Sequence, residues 1–361
     1  MRPPRIRDVA ALAGVAPSTV SVVLNDVAES RISDDTRRRV HEAADLLGYT
    51  PNAAARSLRT APERALALVA VDGLGHLPYG LGLVQGLQEA CSERGVHLLT
   101  LTTGTDRSRE SEALRFAAGA QVVGTVLASV YHVRRQVPKL RNLLCLNIEP
   151  DEERDGLTAI VPDERAAGRL VAEELLALGH RRVALLSLTR TLEVSQRRDA
   201  FLETLLAAGI SRSEIVVDRS PNHDGTAFGG WVAAGRVLDL PDRPTAIACF
   251  NDRMAMGVYR AAARRGLRIP EDLTVIGHDD LEPVAESLHP SLTTVAPPYS
   301  EMAELAASIL LDDPGTAPGG GATPGGTTAL AGELVRRFSA AAPAAPARSP
   351  RTHRKELDVQ T

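Results

Sequence analysis

Apolar residues in the first fifty positions recur with the period of an α-helix in three short segments. Gly14 follows the first segment as a tight turn, and the third lies between a capping serine, Ser33, and Gly48. Three short helices around a glycine turn predict a helix-turn-helix domain over residues 1–50. The positions expected to form its buried cluster are Ile6, Val9, Ala10, Ala13, Val20, Val23, Leu24, Val40, Ala43, Ala44 and Leu47.

The second of these helices has an outer face of small residues. Ser18, Ser21, Val22 and Asn25 lie one or two turns apart on that face. Small side chains let a helix enter a major groove closely, and hydroxyl and amide groups can bond base edges or phosphates. The pattern fits a DNA-reading helix, and it also fits an ordinary helical subdomain with a polar surface.

From residue 65 onward, apolar strands alternate with helical patterns, which is typical of parallel α/β sheets. The first set has strands at 66–71, 96–101, 122–127 and 143–147, with helices at 80–94, 109–118 and 132–141. The second set has strands at 183–188, 215–217, 246–250 and 273–276, with helices near 163–178, 195–208, 226–238 and 252–265. A last edge strand is expected at 334–335. The fold class is therefore α/β with two doubly wound parallel-sheet subdomains, preceded by an all-α headpiece.

Three segments break this alternation. Residues 51–60 contain a helical stretch too short to be stable alone in water, which predicts a linker between domains. Residues 312–328 are rich in Gly, Pro and Thr, which predicts a flexible loop. Residues 341–361 are Ala, Pro and Arg without an apolar stripe, which predicts a disordered tail. Residues 61–340 then form the body.

The composition of the chain limits the classes of protein to which it can belong. The chain has 361 residues, is 44% hydrophobic and carries a net charge of −4. Residues 1–60 contain nine Arg against seven Asp and Glu, so the headpiece is only mildly basic. Cys91, Cys145 and Cys249 have no metal-binding spacing and lie in apolar runs, which predicts buried free thiols in a reducing cytoplasm. No segment approaches the ~18 apolar residues of a membrane span, and the N-terminus is charged where a signal peptide would be apolar.

The motifs of the first sixty residues resemble the LacI/GalR family of bacterial transcription regulators, and the resemblance continues to about Arg337. It rests on Asp8-Val9-Ala10, Ala13-Gly14-Val15, Thr19-Val20-Ser21, Leu24-Asn25, Leu47-Gly48-Tyr49, Pro51-Asn52 and Ala55-Arg56-Ser57-Leu58. It implies a helix-turn-helix headpiece, a hinge helix at 51–60, and a body like a type I periplasmic binding protein. It also implies a homodimer, or a larger assembly, on operator duplex DNA.

In the family the hinge helix orders in a dimer on DNA, and the position of its wedging leucine corresponds to Leu58. Two residues depart from the family pattern. Ala16 lacks the usual capping hydroxyl, which should cost about 1 kcal/mol of helix stability. Val22 stands where many members have a guanine-reading arginine, so the operator should differ there. The residues that the resemblance implies at DNA are Arg7, Pro17, Ser18, Thr19, Ser21, Val22, Asn25, Tyr49, Asn52, Ala55, Arg56 and Leu58.

Polar residues also collect where the predicted strands of the body end, which is where open parallel sheets bind ligands. From these and from the resemblance, the expected effector contacts are Tyr79, Ser129, Asn147, Arg197, Asn251, Asp252 and Asp279. Arg197 matches the family's effector-clamping arginine. Asp252 and Asp163 could instead cap helices. Trp231 is expected in the core, and His278 fits a pocket edge as well as a packed ring.

One guanidinium among several acids and amides suits a polyhydroxylated ligand, so a sugar or related metabolite is expected; a nucleobase is the alternative. The resemblance also implies that the chain crosses between subdomains, which we place near 148–162, 278–290 and 295–300. A helix around 301–311 should then return to the first subdomain.

The leading hypothesis is a transcription regulator of the repressor type, controlled by this effector. The α/β region alone would equally suit a solute or sugar receptor without a DNA role, but the N-terminal module argues against that class. The sequence contains no nucleophile elbow, P-loop, dinucleotide fingerprint or His-rich metal spacing. We therefore expect no enzyme activity, no cofactor and no metal.

Overall fold

The structure is a computed structural model that describes residues 4–24, 32–49, 65–74, 80–120, 122–152, 156–188, 191–218, 225–312 and 325–344. The chain divides into two compact units, Met1–Arg64 and Ala65–Thr361, which we call the headpiece and the body. The expected hinge at 51–60 lies outside the described residues.

The described part of the headpiece contains three helices, α1 (Ile6–Ala13), α2 (Pro17–Leu24) and α3 (Asp34–Leu47). Gly14 and Gly48 end α1 and α3 in the left-handed conformation, and the Ser33 hydroxyl caps α3 by accepting from the amide of Thr36. The expected apolar cluster forms, with one exception: Leu47 is 37% exposed, because α3 turns this last position away from the cluster.

The first half of the body is a six-stranded, wholly parallel sheet in the order β11-β5-β4-β3-β1-β2. Its strands are β1 (Ala65–Val71), β2 (His97–Gly104), β3 (Gly124–Arg135), β4 (Leu143–Pro150), β5 (Thr158–Pro162) and β11 (Gly326–Leu330). Its helices are α4 (Leu81–Glu93), α5 (Arg107–Gly119) and α11 (Tyr299–Leu311). As expected, the segment around 301–311 returns to this half, where α11 packs on α4.

The second half is a six-stranded sheet in the order β12-β10-β9-β8-β6-β7, parallel except at β12. Its strands are β6 (Val183–Leu186), β7 (Ile215–Asp218), β8 (Ala246–Cys249), β9 (Thr274–His278), β10 (Thr293–Ala296) and β12 (Glu333–Val335). Its helices are α6 (Glu164–Ala177), α7 (Leu192–Ala207), α8 (Ala227–Leu238), α9 (Asp252–Ala263) and α10 (Glu282–Ala285); a 3₁₀ turn at Arg212–Glu214 precedes β7.

The chain changes sheets after β5, between β10 and β11, and between β11 and β12. Of the expected crossings, only the one at 295–300 coincides with a change. The segment 148–162 stays in the first sheet, because it contains the end of β4 and all of β5. The segment 278–290 stays in the second half, because β9 and β10 pair side by side.

The predicted helix at 132–141 is wrong. The segment continues β3 as far as Arg135; the side chains of His132 and Arg135 are buried, and that of Arg134 is exposed. An ion pair with Glu110 holds the buried Arg135, and a hydrogen bond to Glu149 holds the buried His132. Charged residues at inward positions conceal the two-residue period of a strand.

Three strands are absent from the sequence prediction: β5, β10 and β11. Strand β11 falls partly within the expected loop at 312–328 and pairs with β5 at the sheet edge. The expected tail also begins too early, because Ala341 hydrogen bonds to the side chains of Thr274 and His180. Isolated three- to five-residue strands carry little periodicity, and their partners are distant in sequence.

Cys91, Cys145 and Cys249 are buried and form no disulfide, as predicted. Within the described ranges no single helix is long and apolar enough to cross a membrane; α1 and α2 meet that test only jointly, bent by 101°. The same ranges contain no group of three His, Cys, Asp or Glu side chains arranged to hold a metal ion.

Candidate functional site

The expected DNA-facing residues of the headpiece lie on two surfaces. Pro17 and Ser18 are exposed at the start of α2, and Arg7 is exposed on α1. Thr19, Ser21 and Val22 are half-buried along α2, and Tyr49 packs against the apolar cluster. Asn25, Asn52, Ala55, Arg56 and Leu58 lie outside the described residues. DNA contact by these residues stays a prediction.

The body contains a cleft at the carboxyl ends of strands from both sheets, with about 510 Å³ of empty space that is partly open to solvent. Because both halves supply its walls, a ligand there would contact both at once. Its lining consists of Val130, Tyr131, His132, Asn147, Pro162, Glu164, Leu188, Glu193, Arg197, Gly225, Phe250, Asn251, Asp279 and Tyr299.

Four of the seven expected effector residues line this cleft: Asn147, Arg197, Asn251 and Asp279. Ser129 does not line it. Its fully buried hydroxyl donates to Asp72 (3.2 Å) and accepts from the Tyr131 amide (3.1 Å), and its carbonyl accepts from Asn147 Nδ2 (3.2 Å). Ser129 therefore holds its neighbours in place. Tyr79 lies outside the described residues.

Asp252 also lies behind the cleft wall. It is fully buried at the start of α9, and its carboxylate accepts from the Leu281 amide (2.7 Å) and the Thr294 hydroxyl (2.6 Å). The helix itself is capped by Asn251, whose Oδ1 accepts from the Met254 amide (2.9 Å). Asp252 thus fixes the turn after β9, the turn that carries Asp279.

The three other polar or aromatic candidates have structural roles. Asp163 caps α6 by accepting from the Ala166 amide (2.8 Å). Trp231 packs against the core of the second half, with the Arg260 guanidinium 4.6 Å from its ring. His278 is buried outside the cleft lining, and burial lowers its pKa well below the usual range, which indicates a packed neutral ring.

Arg197 is held inside the cleft by an ion pair with Glu164. Its Nε donates to one carboxylate oxygen of Glu164 and its Nη2 to the other (3.3 Å), while Nη1 donates to the Phe250 carbonyl (3.2 Å). The guanidinium also lies 4.9 Å from the Phe250 ring centre. Most of the donors of this arginine are therefore already in use within the protein.

Two further carboxyl groups face the same guanidinium with raised pKa values. Burial raises the pKa of Glu193 to about 7 despite the nearby Arg197. Burial also raises the pKa of Asp279 well above its usual range, and the neighbouring acids add to the effect. Arg197 is already paired with Glu164, and its charge does not offset the burial of these two further carboxyl groups, whose neutral forms are favoured.

Three buried polar atoms of the cleft residues have no hydrogen-bond partner in the structure: His132 Nδ1, Asn147 Oδ1 and Glu193 Oε2. Unpaired groups of this kind are costly in a folded protein and indicate a place for a ligand or water. Asn147 and Asp279 also have positive φ values of 57° and 103°, a strained backbone that non-glycine residues adopt mostly at functional sites.

Sequence reasoning missed six polar or aromatic residues of this lining as ligand contacts: Tyr131, His132, Glu164, Glu193, Phe250 and Tyr299. His132 was hidden by the wrong helix at 132–141. Glu164 stood out only as the start of α6. Glu193 could have been found as an acid one turn before Arg197, on the same helical face.

Glu193→Gln should change how stability depends on pH. Because the pKa of Glu193 rises from 4.5 to about 7 on folding, its carboxyl lowers stability progressively between those pH values and by a constant amount above them. Relative to the wild type, the variant should therefore gain up to ~3 kcal/mol in unfolding free energy from pH 4.5 to pH 8.

Urea unfolding of the two proteins across this range measures the difference. Glu203→Gln is the matched control, because Glu203 lies on the same helix but its side chain is 61% exposed. Parallel pH curves for Glu193→Gln and the wild type would refute the assignment of Glu193.

Family models of known proteins match both the headpiece and the body of this chain. The family model for bacterial regulatory proteins of the lacI family matches residues 5–52, and the model for a periplasmic binding protein-like domain matches residues 172–340. Among curated relatives, the transcriptional repressor PurR of Vibrio atlanticus is 30% identical over 312 residues, covering 85% of this chain and 91% of its own. The transcriptional regulator CelR of Thermobifida fusca is 32% identical over 323 residues, covering 86% and 92%.

Solved structures show the same architecture. A LacI-family regulator from Rhizobium etli has a TM-score of 0.69 and 29% identity over 77% of this chain and 99% of its own. A CelR–cellobiose complex has a TM-score of 0.60 and 28% identity over 93% and 99%. With a helix-turn-helix headpiece, a two-sheet body and relatives that match over most of both lengths, this chain belongs to the lacI family of bacterial regulatory proteins.

Proposed function

We propose that this protein is a transcriptional repressor that binds operator duplex DNA as a homodimer and is controlled by a small molecule in the cleft of its body. The observation that carries the proposal is the cleft itself, which is walled by both halves and whose lining residues include three with a buried polar atom that has no partner. A headpiece of the family's type on the same chain supplies the DNA-binding part.

The cleft couples ligand to conformation because its polar groups come from both sheets. Asn147 belongs to the first half, and Glu193 and Asp279 to the second. A ligand that bonds to all three favours one relative position of the halves over others. The coupling is reciprocal: a ligand that weakens operator binding is itself bound less tightly on the operator.

Members of this family that resemble the chain are named as transcriptional repressors or regulators, and one is described in complex with cellobiose. We extend to this chain a role without catalysis, a cytoplasmic location and a sugar-like effector. A solute receptor without a DNA role would use the same cleft, but that function would not explain the helix-turn-helix headpiece.

Selection of genomic fragments by the purified full-length chain tests the proposal. A discrete set of fragments should be retained over random competitor DNA, and one class of small molecule should change that retention. The headpiece variant Ser18→Ala/Ser21→Ala, which leaves the body unchanged, should bind the selected fragments weakly while keeping the ligand. Absence of any sequence preference, with or without ligands, would refute the proposal.

Val22→Arg should change the operator preference of the headpiece. Val22 lies half-buried on α2 and can contact only apolar groups such as a thymine methyl, whereas arginine can donate two bonds to guanine. Half-site selection with the variant should therefore recover guanine at one base pair, with ~1–3 kcal/mol of discrimination that the wild type lacks.

Leu46→Arg is the control for added charge, because Leu46 is 80% exposed on α3. It should raise affinity for all sequences alike, if it has any effect. Recovery of the same guanine by the wild type would contradict the prediction.

A further inference from the structure

We propose that the ligand of the cleft carries a protonated amino group beside its hydroxyls, because the unfilled polar atoms of the cleft are all hydrogen-bond acceptors. This inference rests on the proposed function and names the class of its effector: a small, hydroxylated amine, as distinct from a neutral sugar.

The acceptor character of these atoms follows from the bonds of their neighbours. Asn147 Nδ2 donates to the Ser129 carbonyl, which leaves Oδ1 as the free acceptor. His132 Nε2 lies 3.0 Å from Glu149 Oε1, a pure acceptor, so Nε2 carries the proton. Burial lowers the pKa of His132, so Nδ1 is an unprotonated acceptor.

Glu193 supplies the third of the unpartnered acceptor atoms. It is 3% exposed, and its Oε2 has no partner in the structure. His132 and Asn147 are 3% and 1% exposed, so water reaches none of the three freely. An ammonium group has three donors and no acceptor, which makes it the simplest single group that complements three acceptors.

Arg197 does not supply the missing positive charge. Its Nε and Nη2 bond to Glu164 and its Nη1 to Phe250, so it neutralises Glu164 and leaves Glu193 and Asp279 without an opposite charge. A neutral polyol can bond to these carboxyl groups, but it does not favour their ionised forms. A cation both bonds to them and favours their ionised forms.

The remaining wall of the cleft accepts a cation as well. Tyr131 and Tyr299 line it from the first half, and aromatic faces attract a positive charge that has been removed from water. The described part of the cleft lining contains no lysine, and its single arginine is the one paired with Glu164. The one positive charge of the described lining is therefore offset by the Glu164 carboxylate.

Two pairs of probes test the inference on the full-length protein. Glucosamine and glucose differ in an ammonium against a hydroxyl group. Tris and pentaerythritol differ in an ammonium against a hydroxymethyl group on the same small polyol frame. Isothermal titration calorimetry, run in phosphate and in an imidazole buffer of different ionisation enthalpy, measures affinity and the protons released.

The amine of at least one pair should bind ~10-fold more tightly than its neutral partner, the increment expected for a charge-assisted hydrogen bond. Its binding should release protons at pH 6 to 7, because Glu193 gives up its proton to the solvent as the ammonium approaches. In Glu193→Gln both the preference and the proton release should fall, whereas Glu203→Gln should keep them.

Equal or tighter binding of the neutral member in both pairs would overturn the inference, and so would failure of all four probes to bind. A preference for amine that survives Glu193→Gln would also overturn it, because the preference would then arise elsewhere. These outcomes differ from failure of the proposed function, which is the loss of sequence-selective DNA binding and is measured without any of the probes.

Discussion

Gly168→Ala should lower the unfolding free energy of the body by ~4 kcal/mol, an effect at the upper end for a single methyl group. Gly168 lies on α6, one turn after Glu164, where α6 crosses α7. A Cβ atom at this position would lie 2.2 Å from the Arg197 carbonyl oxygen and 3.0 Å from its carbon. Both contacts are with backbone, so the helices themselves must separate to accommodate it.

The same separation of α6 and α7 should also weaken ligand binding in the cleft. Glu164 and Arg197 meet across this crossing, and a shift of the two helices lengthens the bonds between them. Ligand affinity should therefore fall together with stability. Thermal or urea unfolding, followed by titration of a bound probe at low temperature, measures both effects.

Gly119→Ala is the matched control. Gly119 ends α5, and a Cβ atom there would have no neighbour within 4 Å. Alanine should leave stability unchanged or raise it slightly, because it restricts the unfolded chain. If Gly168→Ala were as mild as this control, the close crossing of α6 and α7 would be contradicted.

The part of the fold that follows from local pattern could be predicted from sequence. The long helices α6, α8 and α9 and the buried strands β1 and β4 show clear periodicity, and their bounds differ from prediction by only a few residues. The glycine ends of α1 and α3 were also predictable, because few residues other than glycine adopt the left-handed conformation that ends a helix.

The part that depends on distant partners could not be predicted. Strand β11 is recognisable only through its pairing with β5, 168 residues earlier in the chain. The expected crossings at 148–162 and 278–290 were misplaced for the same reason, because nothing local tells which sheet a short strand joins. The continuation of β3 was hidden by inward-facing charges whose partners, Glu110 and Glu149, lie on other elements.

The candidate site also has residues that the sequence could predict and residues that it could not. Arg197, Asn147 and Asp279 follow from position at strand or helix ends together with the family resemblance. Their environment does not: Glu164 occupies the guanidinium of Arg197, and Glu193 supplies a buried carboxyl group. The effector class therefore depends on neighbours that only the tertiary structure brings together.

Asp252→Ala should be about as damaging as Gly168→Ala, and for an electrostatic reason. The Asp252 carboxylate is fully buried and accepts from the Leu281 amide and the Thr294 hydroxyl. Alanine would leave both donors buried without a partner, each at about 1–3 kcal/mol. We expect a loss of ~4 kcal/mol in unfolding free energy, together with loss of ligand binding, because the released turn carries Asp279.

The variant Thr294→Val measures the contribution of the Thr294 hydroxyl apart from that of the Leu281 amide. Valine keeps the shape of the buried threonine and removes only its hydroxyl, so the carboxylate retains the Leu281 amide. This variant should lose only ~1 kcal/mol and should keep its ligand. The difference between the two variants should also depend on pH, because burial raises the pKa of Asp252 to about 7.

The sign of that dependence follows from linkage. A raised pKa means that the folded protein holds the Asp252 proton more tightly than the unfolded chain, so the wild type loses stability as pH rises from about 4 to about 7. Asp252→Ala lacks this loss, and its deficit relative to the wild type should therefore be largest near pH 4 and smaller at pH 8. A deficit that grows with pH would show that Asp252 is ionised throughout, and equal losses for Asp252→Ala and Thr294→Val would show that it does not hold the turn.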